Sequence, residues 1–332
     1  MKTIRNNDTI SGLQSAVSAA DCVLLFAHIS PDGDALGSTL ALAMLIEQLG
    51  KTPVLVLDGT VPQQLRFLPG WERFIRPEDV KVSGKTLAIS VDVSCPERMG
   101  TGYPLYQTAD VHMVIDHHAT NEGFGEFNWI DGKAPASAVL IYRLYQALDM
   151  PISKDAALCL YTALSTDTGN FIYDSVNSEC FSIMEGLMNA GLDLSTYSRI
   201  LFRTKEKSFV RILAETLPTL RIVADGEIAG LQTTMEQMLR AGANPYHVDG
   251  VVDYAIDLEE VKMAYYAHEK PEGGIKFSLR SIAPYRIDEV AAKFGGGGHH
   301  QASGCTVNLP MAEAVAQVEA VLTAALEGQK SL

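Results

Sequence analysis

From Asp21 the run DCVLLFAHIS carries unbroken apolar residues and predicts a buried strand over about residues 22–28. The next segment, PDGDALGSTLALAMLIEQLG, places Leu36, Leu40, Met44 and Leu45 on one helical stripe and stops at Gly50, a natural helix end. TPVLVLD, TLAISVDVS and VHMVID predict three more strands, separated by polar or Pro/Gly-rich connections and short helical candidates. Nearly continuous apolar strands spaced by helices predict a mostly parallel α/β sheet with helices on both faces. Helices are further expected over 136–150, over about 153–165, and through SECFSIMEGLMNAG to Gly191. The stretch LDLSTYSRILFRTKEKSFVRILAETLPTL is helix-rich and amphipathic, as a linker would be. From Arg221 the texture changes. RIVADGEIAGLQTT, VVDYAIDLEEVKMAYYAHEK and GGIKFSLRSI alternate in the manner of short strands, and MAEAVAQVEAVLTAALEG predicts a last helix. The expected organisation is an α/β domain over 1–190, a helical linker over 191–220 and a smaller α+β domain over 221–332.

A chain of 332 residues supports two domains. Its 47% hydrophobic and 20% charged residues are those of an ordinary globular protein. No apolar run approaches the length of a membrane span, and polar residues interrupt the first segment too often for a signal peptide, so a cytoplasmic protein without membrane contact is expected. The five cysteines form no Cys-x-x-Cys pair, which favours reduced, buried thiols over structural zinc. A net charge of −14 argues against binding long nucleic acid through a basic surface, but leaves a small phosphorylated substrate open, since bound cations reverse a local field.

Candidate chemistry gathers where strands end. His28, Asp32 and Asp34 lie in the loop leaving the first strand, Asp92 closes a hydrophobic strand, and Asp116-His117-His118 closes another. Asp167 follows a helix in a Thr/Gly-rich loop. Alone, PDGD reads as a turn and Asp92 as a cap. Together these positions bring histidines and carboxylates to what can be one edge of one sheet, where α/β proteins bind their ligands. Oxygen donors mixed with imidazole suit manganese or magnesium better than zinc, and this many carboxylates suggests two ions. Near the C-terminus, Gly296, Gly297, Gly298 and His299, with Arg280 on a nearby strand, offer backbone amides and a planar guanidinium to a phosphate.

His28-x-x-x-Asp32-x-Asp34, Asp92, Asp116-His117-His118 and Asp167 resemble the four successive motifs of the DHH phosphoesterase superfamily. Gly296-Gly297-Gly298-His299-x-x-Ala302-x-Gly304 resembles the signature of its DHHA1 substrate-binding domain. The resemblance covers residues 15 to 325, and is greatest to the branch of bifunctional oligoribonucleases and 3′-phosphoadenosine-5′-phosphate phosphatases. It implies two divalent ions, Mn²⁺ by default with Mg²⁺ or Co²⁺ as substitutes. His28 and Asp32 would hold one, Asp34, His117 and Asp167 the other, and Asp92 would bridge. His118 would face the substrate phosphate, with Asp116 orienting the motif. Arg280 and His299 would take the phosphate or nucleotide end of the substrate. The implied reaction is hydrolysis of short single-stranded RNA and of 3′-phosphoadenosine-5′-phosphate by a hydroxide activated between the ions, with no long duplex as partner. Apart from the resemblance, the apolar helical segments around residues 136–200 suggest a homodimer through the first domain or the linker helices. A cyclic or linear dinucleotide phosphodiesterase is the rival within this chemistry. A non-catalytic nucleotide-binding regulator is the rival outside it.

Overall fold

The computed structural model describes residues 6–244 and 248–330, and the chain divides into two compact units, Met1–Arg203 and Thr204–Leu332. The helical stretch expected over 191–220 is shared between these units.

In the first unit the strands are β1 (Cys22–Phe26), β2 (Pro53–Val56), β3 (Phe74–Ile75), β4 (Thr86–Val91), β5 (Val111–Asp116) and β6 (Phe127–Ile130). They form one sheet in the order β3-β2-β1-β4-β5-β6, parallel at every pairing. Its helices are α1 (Asn6–Ala19), α2 (Gly33–Gln48), α3 (Gly102–Gln107), α4 (Ser137–Ala147), α5 (Lys154–Asp167), α6 (Ser178–Asn189) and α7 (Leu194–Ser198). The apolar strands are explained by two-sided burial. Val23 and Leu25 pack into the larger core, with α2, α4 and α5, while Leu24 and Phe26 point to the opposite face, against Met99 and Tyr106.

The strand order reverses between β1 and β4. That is the switch point at which two successive loops diverge and leave a crevice beyond the carboxyl ends of the strands. β1 ends at Phe26, so His28 lies in the loop rather than on the strand expected to reach it, and Ser30 takes a left-handed φ of 51° there. α5 runs two residues past the expected Ser165, which makes Asp167 its last residue instead of a loop residue. Two features were not legible as pattern: the two-residue β3 and the short β6, whose Trp129 is buried.

Helix α5 can reach the crevice only because α2 lets it approach. A Cβ at Gly37 would run into the carbonyl oxygen of Cys159, and one at Gly33 would meet the side chain of Thr166. The small face of α2 thus allows backbone-to-side-chain contact along both helices and sets the end of α5 beside the start of α2.

In the second unit α8 (Lys207–Thr216) precedes β7 (Arg221–Val223), β8 (Ile228–Thr233), α9 (Met235–Ala241), α10 (Asp253–Ile256), β9 (Met263–Glu269), β10 (Ile275–Ser281), α11 (Asp288–Ala292), β11 (Gly297–Gly298), β12 (Ala302–Val307) and α12 (Met311–Lys330). The sheet order is β11-β12-β10-β9-β8-β7, antiparallel except for β8 with β9. Met263, Tyr265 and Ala267 face a core shared with α11 and α12; Ala264 and Tyr266 face another shared with α8 and α9. Only the end of VVDYAIDLEEVKMAYYAHEK is strand. Val251, Val252 and Ala255 are spaced for a helix and bury together in the second core, so the segment coils through α10 before β9 begins. Among the described residues no helix is long and apolar enough to cross a membrane.

Candidate metal centre

The first unit brings His28, Asp32, Asp34, Asp92, Asp116, His117, His118 and Asp167 to the carboxyl edge of β1, β4 and β5. Asp32 caps α2. Its Oδ1 accepts from the backbone N–H groups of Asp34 at 3.1 Å and Ala35 at 3.0 Å. An N-cap aspartate is what a helix start asks for, so the folding role and the site role coincide. The second oxygen, Oδ2, lies 3.7 Å from His28 Nε2.

Asp34 is the second residue of α2 and is fully buried. Ser38 Oγ and the backbone N–H of Ala138 donate to Oδ1, and the backbone N–H of Ser137 donates to Oδ2 at 2.6 Å. The start of α4 therefore points its unsatisfied amides at this carboxylate. Burial, reinforced by the charge of Asp167, raises the Asp34 pKa to about 6 despite the opposing effect of His117.

Asp92 follows β4 with a φ of 61°, a left-handed backbone that turns its carboxylate back over the strand ends. Ser137 Oγ donates to Oδ1 at 2.9 Å. Oδ2 is 3.7 Å from His28 Nε2, and Oδ1 is 3.6 Å from His117 Nε2. Asp92 thus lies between the two histidines. Burial first, then the neighbouring charges of Asp34 and Asp32, push its pKa well above the usual carboxylate range.

The two adjacent histidines of β5's end do different things. His117 Nδ1 donates to the carbonyl of Ala134 at 3.1 Å, which turns the Nε2 lone pair toward Asp167 Oδ2 at 3.1 Å, Asp92 Oδ1 at 3.6 Å and Asp34 Oδ2 at 3.8 Å. His118 Nδ1 instead donates to Asp116 Oδ1 at 2.8 Å. Asp116 also accepts from the His117 backbone N–H, and its Oδ2 from Asn121 Nδ2 at 2.6 Å. Burial works to raise the Asp116 pKa, but the bonds from His118 and Asn121 outweigh it and bring the carboxyl below its ordinary value. Asn121 is itself tied to the carbonyl of Val93.

The donor set has the chemistry of a metal site. Two sets of potential ligand atoms each fall within 4.8 Å of one another: His28, Asp32 and Asp92, and Asp34, His117 and Asp167. In the second, His117 Nε2 and the carboxylate oxygens of Asp34 and Asp167 converge on one point, as the ligands of a divalent cation do. Four carboxylates with two imidazoles fit hard divalent ions. Asp116 and His118 also lie near Asp92, but their mutual hydrogen bond makes them a bonded pair beside the two sets.

Four participants were not singled out from sequence. Ser137 and Ser38 hold carboxylates, Asn121 holds Asp116, and Arg98 Nη2 lies 2.9 Å from His28 Nδ1. Ser137 stands at a helix start, a signal that could have been used; the other three sit in segments with no pattern that marks them.

The remaining candidates belong to the second unit. Arg280 on β10 has Nε 3.4 Å from Asp253 Oδ1, and its Nη1 donates to the Leu279 carbonyl. The glycine run is paired strand rather than an open loop: Gly297 is opposite Gly304 and Gly298 opposite Ser303, with His299 and Ala302 exchanging backbone bonds across the turn. Gly298 has a φ of 144°, and a Cβ there would meet the carbonyl of Ala302, so the turn requires glycine.

Residues 22–164 match the DHH family, N-terminal domain, and residues 230–328 match the DHHA1 domain. The bifunctional oligoribonuclease and PAP phosphatase NrnA of Thermus thermophilus is 32% identical over 288 residues, covering 86% of this chain and 84% of that protein. The cyclic-di-AMP phosphodiesterase GdpP of Geobacillus thermodenitrificans is 23% identical over 96% of this chain, which spans 50% of that longer protein. Among solved structures, an exopolyphosphatase-related protein from Bacteroides fragilis superposes with a TM-score of 0.89 at 26% identity, over 100% of this chain and 99% of that one.

Proposed function

The chain belongs to the DHH family, carries a DHHA1 domain and is a phosphoester hydrolase, and on that premise we propose that it degrades short oligoribonucleotides and removes the 3′-phosphate of 3′-phosphoadenosine-5′-phosphate, with Mn²⁺ as its metal. The observation that carries the chemistry is the pair of ligand sets that meet at Asp92. His28 and Asp32 would hold one ion, Asp34, His117 and Asp167 the other, and Asp92 both. Bound there, a pair of divalent ions supplies an acidified water and a counter-charge for the phosphoryl oxygens.

The chain's own groups do the rest. Ser137 and the start of α4 fix the two buried carboxylates, so that their orientation does not change during reaction. Asp116 accepts the Nδ1 proton of His118 and fixes the ring, so that the imidazolium form, its charge balanced by Asp116, presents an Nε2 proton to a phosphoryl oxygen. In the second unit, Arg280, His299 and the backbone of Gly296, Gly297 and Gly298 are the proposed holders of the nucleotide end. A substrate of roughly two to five nucleotides would need few phosphate contacts, which suits an acidic protein. The similarity to NrnA over most of both chains supports this substrate class.

A second reading, hydrolysis of cyclic or linear diadenylate, is favoured by the similarity to GdpP across 96% of this chain. One experiment separates them. The Mn²⁺-loaded protein is given two-, five- and twenty-nucleotide RNA, 3′-phosphoadenosine-5′-phosphate and cyclic diadenylate. Faster turnover of the short RNAs and the bisphosphate supports the first reading, and faster opening of the cyclic dinucleotide replaces it with the second.

A further inference from the structure

We propose that Arg98 binds the phosphate of the substrate at the metal centre, and that its contact with His28 gives way when His28 ligates through Nε2. The inference rests on the phosphoester-hydrolase reading above and adds a residue to it.

One nitrogen of His28 stands between two incompatible partners. His28 Nδ1 lies 2.8 Å from the carbonyl oxygen of Ile29, an acceptor, and 2.9 Å from Arg98 Nη2, a donor. A neutral imidazole nitrogen either donates or accepts. When Nδ1 carries the proton, it bonds to Ile29, and the Nε2 lone pair faces Asp32 and Asp92, as ligation requires. The guanidinium N–H then meets another N–H and is repelled. When Nδ1 is bare, Arg98 donates to it, but Nε2 carries the proton and cannot hold a metal. The Arg98 contact and Nε2 ligation therefore exclude each other.

Among the described residues, His28 is the side-chain partner of the Arg98 guanidinium. Arg98 is half-buried in the short turn Pro96–Met99, and among the described residues its guanidinium has no carboxylate partner. Its backbone is fixed to the same loop, since the N–H of Ile29 donates to the Arg98 carbonyl at 2.7 Å. A half-buried guanidinium without an acid is expensive unless an anion arrives. Charge balance points the same way. Asp32, Asp34, Asp92 and Asp167 match two divalent ions, so the phosphate of a substrate brings a charge that only a further cation offsets. Arg98 supplies that cation in a planar fork suited to phosphate oxygens.

The test uses Arg98→Met, which keeps the reach of the side chain without its charge, and Arg98→Lys, which keeps a charge without the fork. Calorimetry measures Mn²⁺ binding to metal-stripped protein, then AMP binding to the Mn²⁺-loaded protein. Turnover is followed with a dinucleotide and with bis(p-nitrophenyl) phosphate. Arg98→Met is expected to bind Mn²⁺ at least as tightly as the parent, because a competitor for His28 is gone. It should bind AMP at least about tenfold more weakly and lose roughly 10²-fold in kcat/KM, with Arg98→Lys between the two. Parental AMP affinity and turnover in Arg98→Met would overturn the proposal. So would a loss of Mn²⁺ affinity in proportion to the loss of turnover, which would mean that Arg98 only positions His28. If the parent hydrolyses bis(p-nitrophenyl) phosphate and no nucleotide, the proposed substrates fail, while the comparison of variants on that generic diester still decides the role of Arg98.

Discussion

Replacing Asp92 by asparagine should make the metal-free protein more stable and the enzyme inactive. The two effects have one cause. Asp92 is buried among Asp34, Asp32 and Asp116, and both its own pKa and that of Asp34 are raised, the latter from 3.8 to about 6. A rise of that size corresponds to about 3 kcal/mol of destabilisation per ionised carboxylate at neutral pH. Asparagine removes one of these charges with little structural disturbance. It tolerates the left-handed backbone that Asp92 adopts, and its carbonyl oxygen can still accept from Ser137 Oγ. In EDTA at pH 7.5 the variant should melt above the parent, each 1 kcal/mol gained by a unit of this size raising the melting temperature by roughly 2–4 °C. Excess Mn²⁺ should raise the parent's melting temperature strongly and the variant's little, so that the order of the two reverses. Turnover of a short RNA should fall by roughly 10³-fold or more. The measurement is thermal unfolding by circular dichroism in both conditions, alongside the rate. A variant that melts below the parent in EDTA, or that gains equally from Mn²⁺, would refute the reasoning.

The pH dependence of the metal-free protein follows from the same residues. Asp34 has a folded pKa of about 6 against 3.8 unfolded, so folding is unaffected below pH 4, weakens as pH rises from 4 to 6, and carries the full penalty of about 3 kcal/mol above that. Melting temperatures in EDTA should therefore be lower at pH 7.5 than at pH 5, and a trend in the opposite direction would show that other groups dominate. Ser137→Ala removes a hydrogen bond to a buried carboxylate and should weaken Mn²⁺ binding roughly 10- to 100-fold in a calorimetric titration, with the fold retained. Gly37→Ala forces a methyl group against the Cys159 carbonyl and should destabilise by about 1–3 kcal/mol in urea unfolding. Because it also separates α5 from α2, Mn²⁺ affinity should fall with it, whereas Gly50→Ala, beyond the end of α2, should leave that affinity at the parental value.

Much of the site was legible before any coordinates. Strands buried on both faces announce themselves as apolar runs, and a polar residue at the end of such a run has few reasons to be there. This is why His28, Asp92 and Asp116 stood out, and why a parallel sheet could be expected from β1, β2, β4 and β5. The short β6 and β3 escaped, because two to four half-buried residues carry too little periodicity to separate them from a loop. The segment 251–256 reads as strand for a related reason: Val251, Val252 and Ala255 bury by packing on the neighbouring sheet, and six residues of mixed polarity do not distinguish a coil of helix from a strand.

The chain alone thus determined the kind of sheet, the identity of the carboxylates and imidazoles, and the sort of ion they suit, because those depend on residue type and local pattern. What tertiary structure decided is who stands beside whom. The reversal of strand order between β1 and β4 puts Asp92 within 3.7 Å of His28, though 64 positions separate them. Contact at Gly37 brings the end of α5, and Asp167 with it, to His117. Ser137, Asn121 and Arg98 enter for the same reason: a hydrogen bond depends on a few tenths of an ångström, and such distances are set only when helices and strands pack around a common core.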